Sequence, residues 1–234
     1  MLFKHSFSMK LDSELAEVTG AILGDGCLSK YWVKKENRFR YELAFTGSLD
    51  DYEYYNSFVL PVIRKHFNVR SGRLFTRDGN STRLHFCNKS IFNYFADIGV
   101  PIGEKAHKIT MPSEMWKDKK LLTACLRGLF DTDGTVYRRY SKKYKNHPKH
   151  YSNLLVVGIK LKSKAMLKDI KEAFSLFSID SNNIIPSGSC YVLRITKQQL
   201  IQRFLDKIGF RNSHHLKRLA YFKKDNLKAL FNAN

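Results

Sequence analysis

The chain has 234 residues, enough for one large domain or two units of roughly 110 residues, and 43% hydrophobic residues with 13% aromatics fit a folded protein. Its 41 Lys and Arg against 21 Asp and Glu leave a formal charge of +20, which points to a polyanionic partner, nucleic acid first and an acidic membrane surface second. No stretch of 18 consecutive apolar residues, no GxxxxGK[ST] phosphate loop and no CxxC pair occurs, so a membrane span, an ATP motor and a zinc or disulfide framework are not indicated. Cys27, Cys87, Cys125 and Cys190 are scattered and read as free thiols, and His147/His150 and His214/His215 lack cysteines at zinc spacing. The start, MLFKHSFSMK, is too short and polar for a secretory signal, so an intracellular protein is expected.

In chain order, residues 1–10 read as a basic lead-in. Asp12 or Ser13 can cap a helix whose first turn holds Glu14 and Glu17 and which runs to Asp25, with Gly26 ending it. Leu28–Lys35 and Arg38–Thr46 read as strands; in the second, Tyr41, Leu43 and Phe45 alternate with Arg40, Glu42, Ala44 and Thr46. A helix is expected over Leu49–Phe67, started by Ser48, Asp50 or Asp51 and interrupted at Pro61. Val69–Arg77 and Ser81–Phe86 form a hairpin about Asp78-Gly79, and Asn88–Ile98 a helix stopped by Gly99. Val100–Pro112 reads as a connection.

Ser113 then caps a second long helix ending in LRGLFDTDG. Strands follow at Thr135–Tyr140 and Asn153–Lys162, separated by the basic stretch RRYSKKYKNHPKH. A helix over Ser163–Phe177, strands at Asn183–Ile185 and Tyr191–Thr196, a helix over Gln198–Ile208 stopped by Gly209, and a last helix near His214–Phe231 complete the order. Asp25 and Asp133 lie at matched places, as do Ile98-Gly99 and Ile208-Gly209. The chain therefore reads as two copies of one αββαββα unit. The expected division is residues 1–106, a linker 107–112, and residues 113–234.

Two stretches organise this repeat: Val18–Gly26, VTGAILGDG, and Leu126–Gly134, LRGLFDTDG. Each is a helix end with small residues four apart, Gly20 and Gly24 in one, Gly128 and Thr132 in the other. Residues four apart share a helix face, so the two helices can pack closely and bring Asp25 and Asp133 together. A carboxylate at the partly negative end of a helix invites a cation, and carboxylates with backbone carbonyls suit Mg²⁺. Helices covering one face of each antiparallel sheet leave the other face open. That face is read as carrying Arg40, Glu42, Ala44, Thr46, Arg83 and His85 in the first half, and Val156, Gly158, Lys160, Lys162, Val192, Arg194 and Thr196 in the second.

The two motifs resemble those of the LAGLIDADG homing endonucleases, and two copies in one chain resemble the monomeric, pseudo-symmetric branch of that family. The resemblance implies an α+β fold, two pseudo-symmetric αββαββα halves whose antiparallel sheets form a DNA-binding saddle around the motif helices. It implies hydrolysis of both strands of a long double-stranded DNA site, with Asp25 and Asp133 as catalytic metal ligands and the carbonyls of Gly24 and Thr132 as co-ligands. Mg²⁺ is the implied cofactor; Mn²⁺ is expected to substitute and Ca²⁺ to support binding without cutting. The family's polar residue beside each site falls on Lys162, with Lys160, in the second half. In the first half the matching positions are Gly47 and Ser48, a departure that leaves the partner there unassigned. DNA contacts are expected from Lys30, Lys34, Arg38, Arg40, Glu42, Thr46, Arg70, Arg73, Arg77, Arg83 and His85, and from Arg138, Arg139, Lys142, Lys143, Lys160, Lys162 and Arg194. A monomer is expected, in an intron-encoded or free-standing form, since the chain begins with Met and lacks the terminal residues of a splicing intein. An RNA maturase acting on intron RNA and a non-catalytic DNA-binding regulator are the alternatives on the same fold. Retention of both aspartates favours cleavage.

Overall fold

The computed structural model of the chain describes residues 9–77, 79–139 and 154–231. Helix α1 (Ser13–Gly24) starts where the Asp12 carboxylate accepts the Leu15 N–H at 2.9 Å. Strands β1 (Gly26–Val33) and β2 (Arg38–Ser48) turn through a 3₁₀ turn, Lys34–Glu36, and Asn37 with φ 48°. A capping box between Ser48 and Asp51 opens the 3₁₀ turn Leu49–Asp51, which leads into α2 (Tyr52–Tyr54), a π-turn (Tyr55–Val59) and α3 (Leu60–Phe67). The single helix expected over Leu49–Phe67 is thus broken just before Pro61, which has no N–H to offer the preceding turn.

Strands β3 (Arg73–Arg77) and β4 (Ser81–Cys87) form the second hairpin, whose Asp78 lies outside the described residues. The strand expected from Val69 begins only at Arg73, because Arg64 of α3 donates to the carbonyls of Ser71 (3.2 Å) and Gly72 (3.3 Å). Helix α4 (Lys89–Ile98), capped by Asn88, ends at Gly99 with φ 110°, a conformation glycine adopts without strain.

In the second half the capping residue is Asp118 rather than Ser113. Ser113–Lys117 forms a separate 3₁₀ turn, and Asp118 accepts the Lys120 N–H at 2.7 Å to open α5 (Lys119–Thr132). Strands β5 (Gly134–Arg139) and β6 (Leu154–Leu161), helix α6 (Lys164–Leu176) capped by Ser163, strands β7 (Ile185–Ser187) and β8 (Cys190–Ile195), and helices α7 (Gln198–Lys207) and α8 (Ser213–Phe231) complete the chain. The sheet orders are β1-β2-β4-β3 and β5-β6-β8-β7, antiparallel throughout, so the expected repeat holds element for element. Lys142, Lys143, His147 and His150 lie outside the described residues. Among the described residues no helix is long and apolar enough to cross a membrane.

One face of each sheet enters the core. Leu28, Leu43, Phe45, Leu84 and Phe86 do so in the first half, and Val136, Val157, Ile159, Leu193 and Ile195 in the second. A single apolar cluster runs through both halves by way of α1 and α5. Those two helices meet backbone to backbone: a Cβ on Gly20 would stand 1.9 Å from the Cys125 carbonyl oxygen, and one on Gly128 1.9 Å from that of Glu17. Gly26 and Gly134 do not end their helices by a left-handed turn, as expected of Gly26; neither has positive φ. They let the following strand fold back, since a Cβ would stand 2.5 Å from Ile22 Cα or 2.3 Å from the Phe130 carbonyl oxygen.

Candidate active site at the helix seam

Asp25 and Asp133 are the C-caps of α1 and α5. The small-residue stripes bring these ends together: a Cβ on Gly24 would meet Thr132 Oγ1 at 2.0 Å and Asp133 Oδ2 at 3.4 Å. Both carboxyls are half-buried. Burial raises Asp25 to about 7, helped by the charge of Asp133 and opposed by a hydrogen bond from Tyr55. Burial likewise raises Asp133 to about 6, opposed by Lys105. Carboxylates held this far above their ordinary range favour a cation.

The chain supplies part of that charge. The Lys105 ammonium donates to the carbonyls of Ile22 (2.5 Å), Leu23 (2.7 Å) and Gly24, the orphan acceptors at the end of α1. Burial lowers Lys105 to about 8, while Asp133 and Asp25 hold it up. The connection that carries it is anchored on β1 by a bridge between Ile102 and Leu28 and by the Gly103 N–H donated to Leu28 at 2.7 Å. Lys105 is not legible in the sequence, because a lysine inside a Pro/Gly-containing connection carries no periodic signal.

Tyr55 is not legible there either. Its hydroxyl donates to Asp25 Oδ2 at 2.6 Å. Lys162, expected beside Asp133, is exposed, and no hydrogen bond or ion pair joins Lys160 or Lys162 to Asp133 among the described residues. Gly134 pairs with Ile159 as Gly26 pairs with Phe45, so Leu161 stands at the place matched to Gly47 and Lys162 at the place matched to Ser48.

The helix ends are clamped from behind. Glu17, expected in the first turn of α1, lies beyond it, is buried, and takes Arg211 at 2.5 Å and Arg127 at 3.1 Å. Asp131 accepts the N–H groups of Arg211 (2.9 Å) and Asn212 (3.0 Å), and Asn212 donates onward to Asp51 at 2.8 Å. These links tie the segment before α8 to both motif helices.

The open face of the first sheet carries Arg38, Arg40, Glu42, Thr46, Arg73, Arg77, Arg83 and His85, as the register requires. Glu42 on that face is buried and shared by Arg83 (3.2 Å) and His85 (3.3 Å). Arg40 is tied to Glu36. Lys30 falls on the opposite face with Leu28, its ammonium 4.8 Å from the Phe39 ring. Arg138 shares the core-side face with Val136. Lys34 lies in the 3₁₀ turn, and Arg70 in the loop before β3. In the second sheet Gly158, Lys160 and Arg194 share the open face. Val156 and Val192, expected to be exposed there, are buried beside their cross-strand neighbours Tyr137 and Ile185.

Fold and seam define a pseudo-symmetric protein of two αββαββα units joined by a motif-helix pair. Residues 120–209 match the LAGLIDADG-like domain. Over most of its length the fold is similar to that of I-DmoI in complex with DNA and Mn (TM-score 0.61, 20% identity, 84% of this chain and 96% of that one). It is also that of two meganucleases, I-SmaMI bound to uncleavable DNA (0.63, 13%, 95% and 91%) and I-AabMI bound to uncleaved DNA (0.61, 12%, 94% and 92%). I-DmoI is also known with DNA and Ca. The chain thus carries a match to the LAGLIDADG-like domain over residues 120–209 and shares the fold of these proteins. A curated relative, Replication factor C small subunit of Methanocaldococcus jannaschii, is 26% identical over 227 residues, covering 92% of this chain and 10% of that protein. The chain thus spans about a tenth of the length of the curated relative it matches.

The protonation of the seam has a measurable consequence. Between about pH 4 and 7 the folded state holds protons on Asp25 and Asp133 that the unfolded chain has released. Their contribution to stability therefore falls as pH rises through that window and stays low above it. Asp25→Asn removes the penalty. Without divalent metal, its melting temperature is expected to match wild type near pH 4 and to exceed it by at least about 5 °C at pH 8. Thermal melts across pH check this; a constant difference would contradict the assignment.

Proposed function

We propose that the protein is a site-specific endonuclease that hydrolyses both strands of duplex DNA with divalent metal, acting as a monomer because one chain supplies both halves of the site. The observation that carries this reading is the meeting of two half-buried carboxyls, from matched helix ends, beside a half-buried ammonium. The donor set fits a hard cation: carboxylate oxygens of Asp25 and Asp133 with the helix-terminal carbonyls of Gly24 and Thr132. Mg²⁺ bound there would supply Lewis acidity and an activated water. Asp25 and Asp133 each serve one strand. Lys105 neutralises charge at the end of α1, its ammonium donating to the Gly24 carbonyl. Arginines and lysines of the open sheet faces hold phosphates and set register, and Thr46, Ser29 and Arg194 can reach base edges.

The test is a selection. The protein is incubated with a randomised duplex library and Mg²⁺, and the cut ends are sequenced. A single long consensus recovered from cut ends supports the reading. Retained duplex or intron-RNA binding without cutting, under Mg²⁺ and Mn²⁺, transfers the fold to the regulator or maturase reading. Lys105→Met is expected to slow cutting about 100-fold while leaving duplex affinity within about threefold, measured by single-turnover cleavage and gel shift.

A further inference from the structure

We infer that the Tyr55 hydroxyl is a positioning group for the Asp25 carboxylate, taking the place that Gly47 leaves empty in the first half. The inference rests on the metal-seam reading above. Gly47 has no positive φ, so the backbone does not require glycine there. Space does: a Cβ on Gly47 would stand 2.6 Å from the Tyr55 hydroxyl, 2.7 Å from Asp51 Oδ2 and 3.0 Å from Asp25 Oδ2. Any side chain at 47 would push the hydroxyl off the carboxylate.

Tyr55 has little freedom to move away by itself. Its ring is fully buried between Phe45 (5.6 Å) and Tyr54 (6.1 Å). It opens the π-turn, an irregularity common at functional sites because it re-aims a helix face. Asp51 does not compete for its proton: Oδ2 is taken by the Ser48 N–H and hydroxyl, both at 2.8 Å, and Oδ1 by Asn212.

The second half has no equivalent. Seven residues after its capping Ser163 stands Ile170, where Tyr55 stands seven after Ser48. The Asp133 carboxylate accepts no hydrogen bond among the described residues. One oxygen of Asp25 is therefore committed and the other left for a ligand, whereas Asp133 is oriented only by its backbone. The two halves of the seam hold their ligands unequally, and the two strands are cut with different dependence on metal.

Tyr55→Phe keeps the ring and removes the hydroxyl. Mn²⁺ alone is titrated into wild type, Tyr55→Phe, Asp25→Asn and Tyr54→Phe and followed by electron paramagnetic resonance. Tyr55→Phe is expected to weaken one Mn²⁺ site about 10–100-fold. Tyr54→Phe, whose hydroxyl has no hydrogen-bond partner among the described residues, is expected to match wild type. On an end-labelled target duplex, Tyr55→Phe slows one strand only, nicked product accumulates, and higher Mn²⁺ restores the rate. Gly47→Ala attacks the same contact from the other side and gives the same pattern should Tyr55→Phe fail to fold. Equal Mn²⁺ binding by wild type and Tyr55→Phe, with binding lost in Asp25→Asn, overturns the role of Tyr55 and leaves the seam reading intact. A wild-type protein that binds no Mn²⁺ overturns both.

Discussion

Asp25→Asn and Asp133→Asn are each expected to lower the rate of double-strand cutting at least about 10³-fold while duplex affinity changes less than about threefold. A 10³-fold loss is about 4 kcal/mol in activation free energy. Two unit charges 4 Å apart interact with about 4 kcal/mol at an effective dielectric of 20, and a dication doubles that. Losing one carboxylate charge against a divalent ion is therefore sufficient. Binding survives because phosphates are held by cations on the sheet faces, away from the helix ends. Single-turnover cleavage and gel shifts at fixed salt separate the two. Cutting at wild-type rates by both variants would sink the metal-site assignment.

Gly20→Ala and Gly128→Ala set two effects against each other. Glycine inside a helix costs roughly 1 kcal/mol relative to alanine, so propensity alone predicts stabilisation. Packing opposes it: the new Cβ would stand 1.9 Å from a backbone carbonyl oxygen of the partner helix, which cannot rotate aside as a side chain could. Overpacking a well-fitted contact costs about 1–3 kcal/mol and more when backbone must move. The packing term wins, and each variant is expected to lose about 3 kcal/mol or about 6–12 °C in melting temperature. Separation of the helix ends also carries Asp25 away from Asp133, so cutting falls further than stability explains. A melting temperature at or above wild type would show that α1 and α5 do not meet there in solution.

What was legible in the sequence follows from the period of each signal. Small residues four apart marked the motif helices, alternation marked β2 and β4, and Gly99 and Gly209 marked matched helix stops. Those signals are local. The seam's remaining parts join residues far apart in the chain. Lys105 reaches carbonyls about 80 residues earlier, and Glu17 pairs with Arg211 across the molecule. Tyr55 reaches Asp25 only because a π-turn re-phases its helix, and periodicity read Leu49–Phe67 as one regular helix. Gly47 reads in the sequence as a missing polar residue, and nothing local places the Tyr55 hydroxyl of the next helix beside it. For Lys162 the register is explicit: it stands at the position matched to Ser48, next to that matched to Gly47.

The metal-seam assignment is tested most sharply by locating the metal. Crystals of the protein with its selected duplex are grown with Mn²⁺, and anomalous scattering is collected at the manganese edge. Peaks are expected at the helix seam within coordination distance of the Asp25 and Asp133 carboxylates and the carbonyls of Gly24 and Thr132. A seam without manganese in a complex that cuts its DNA would contradict it.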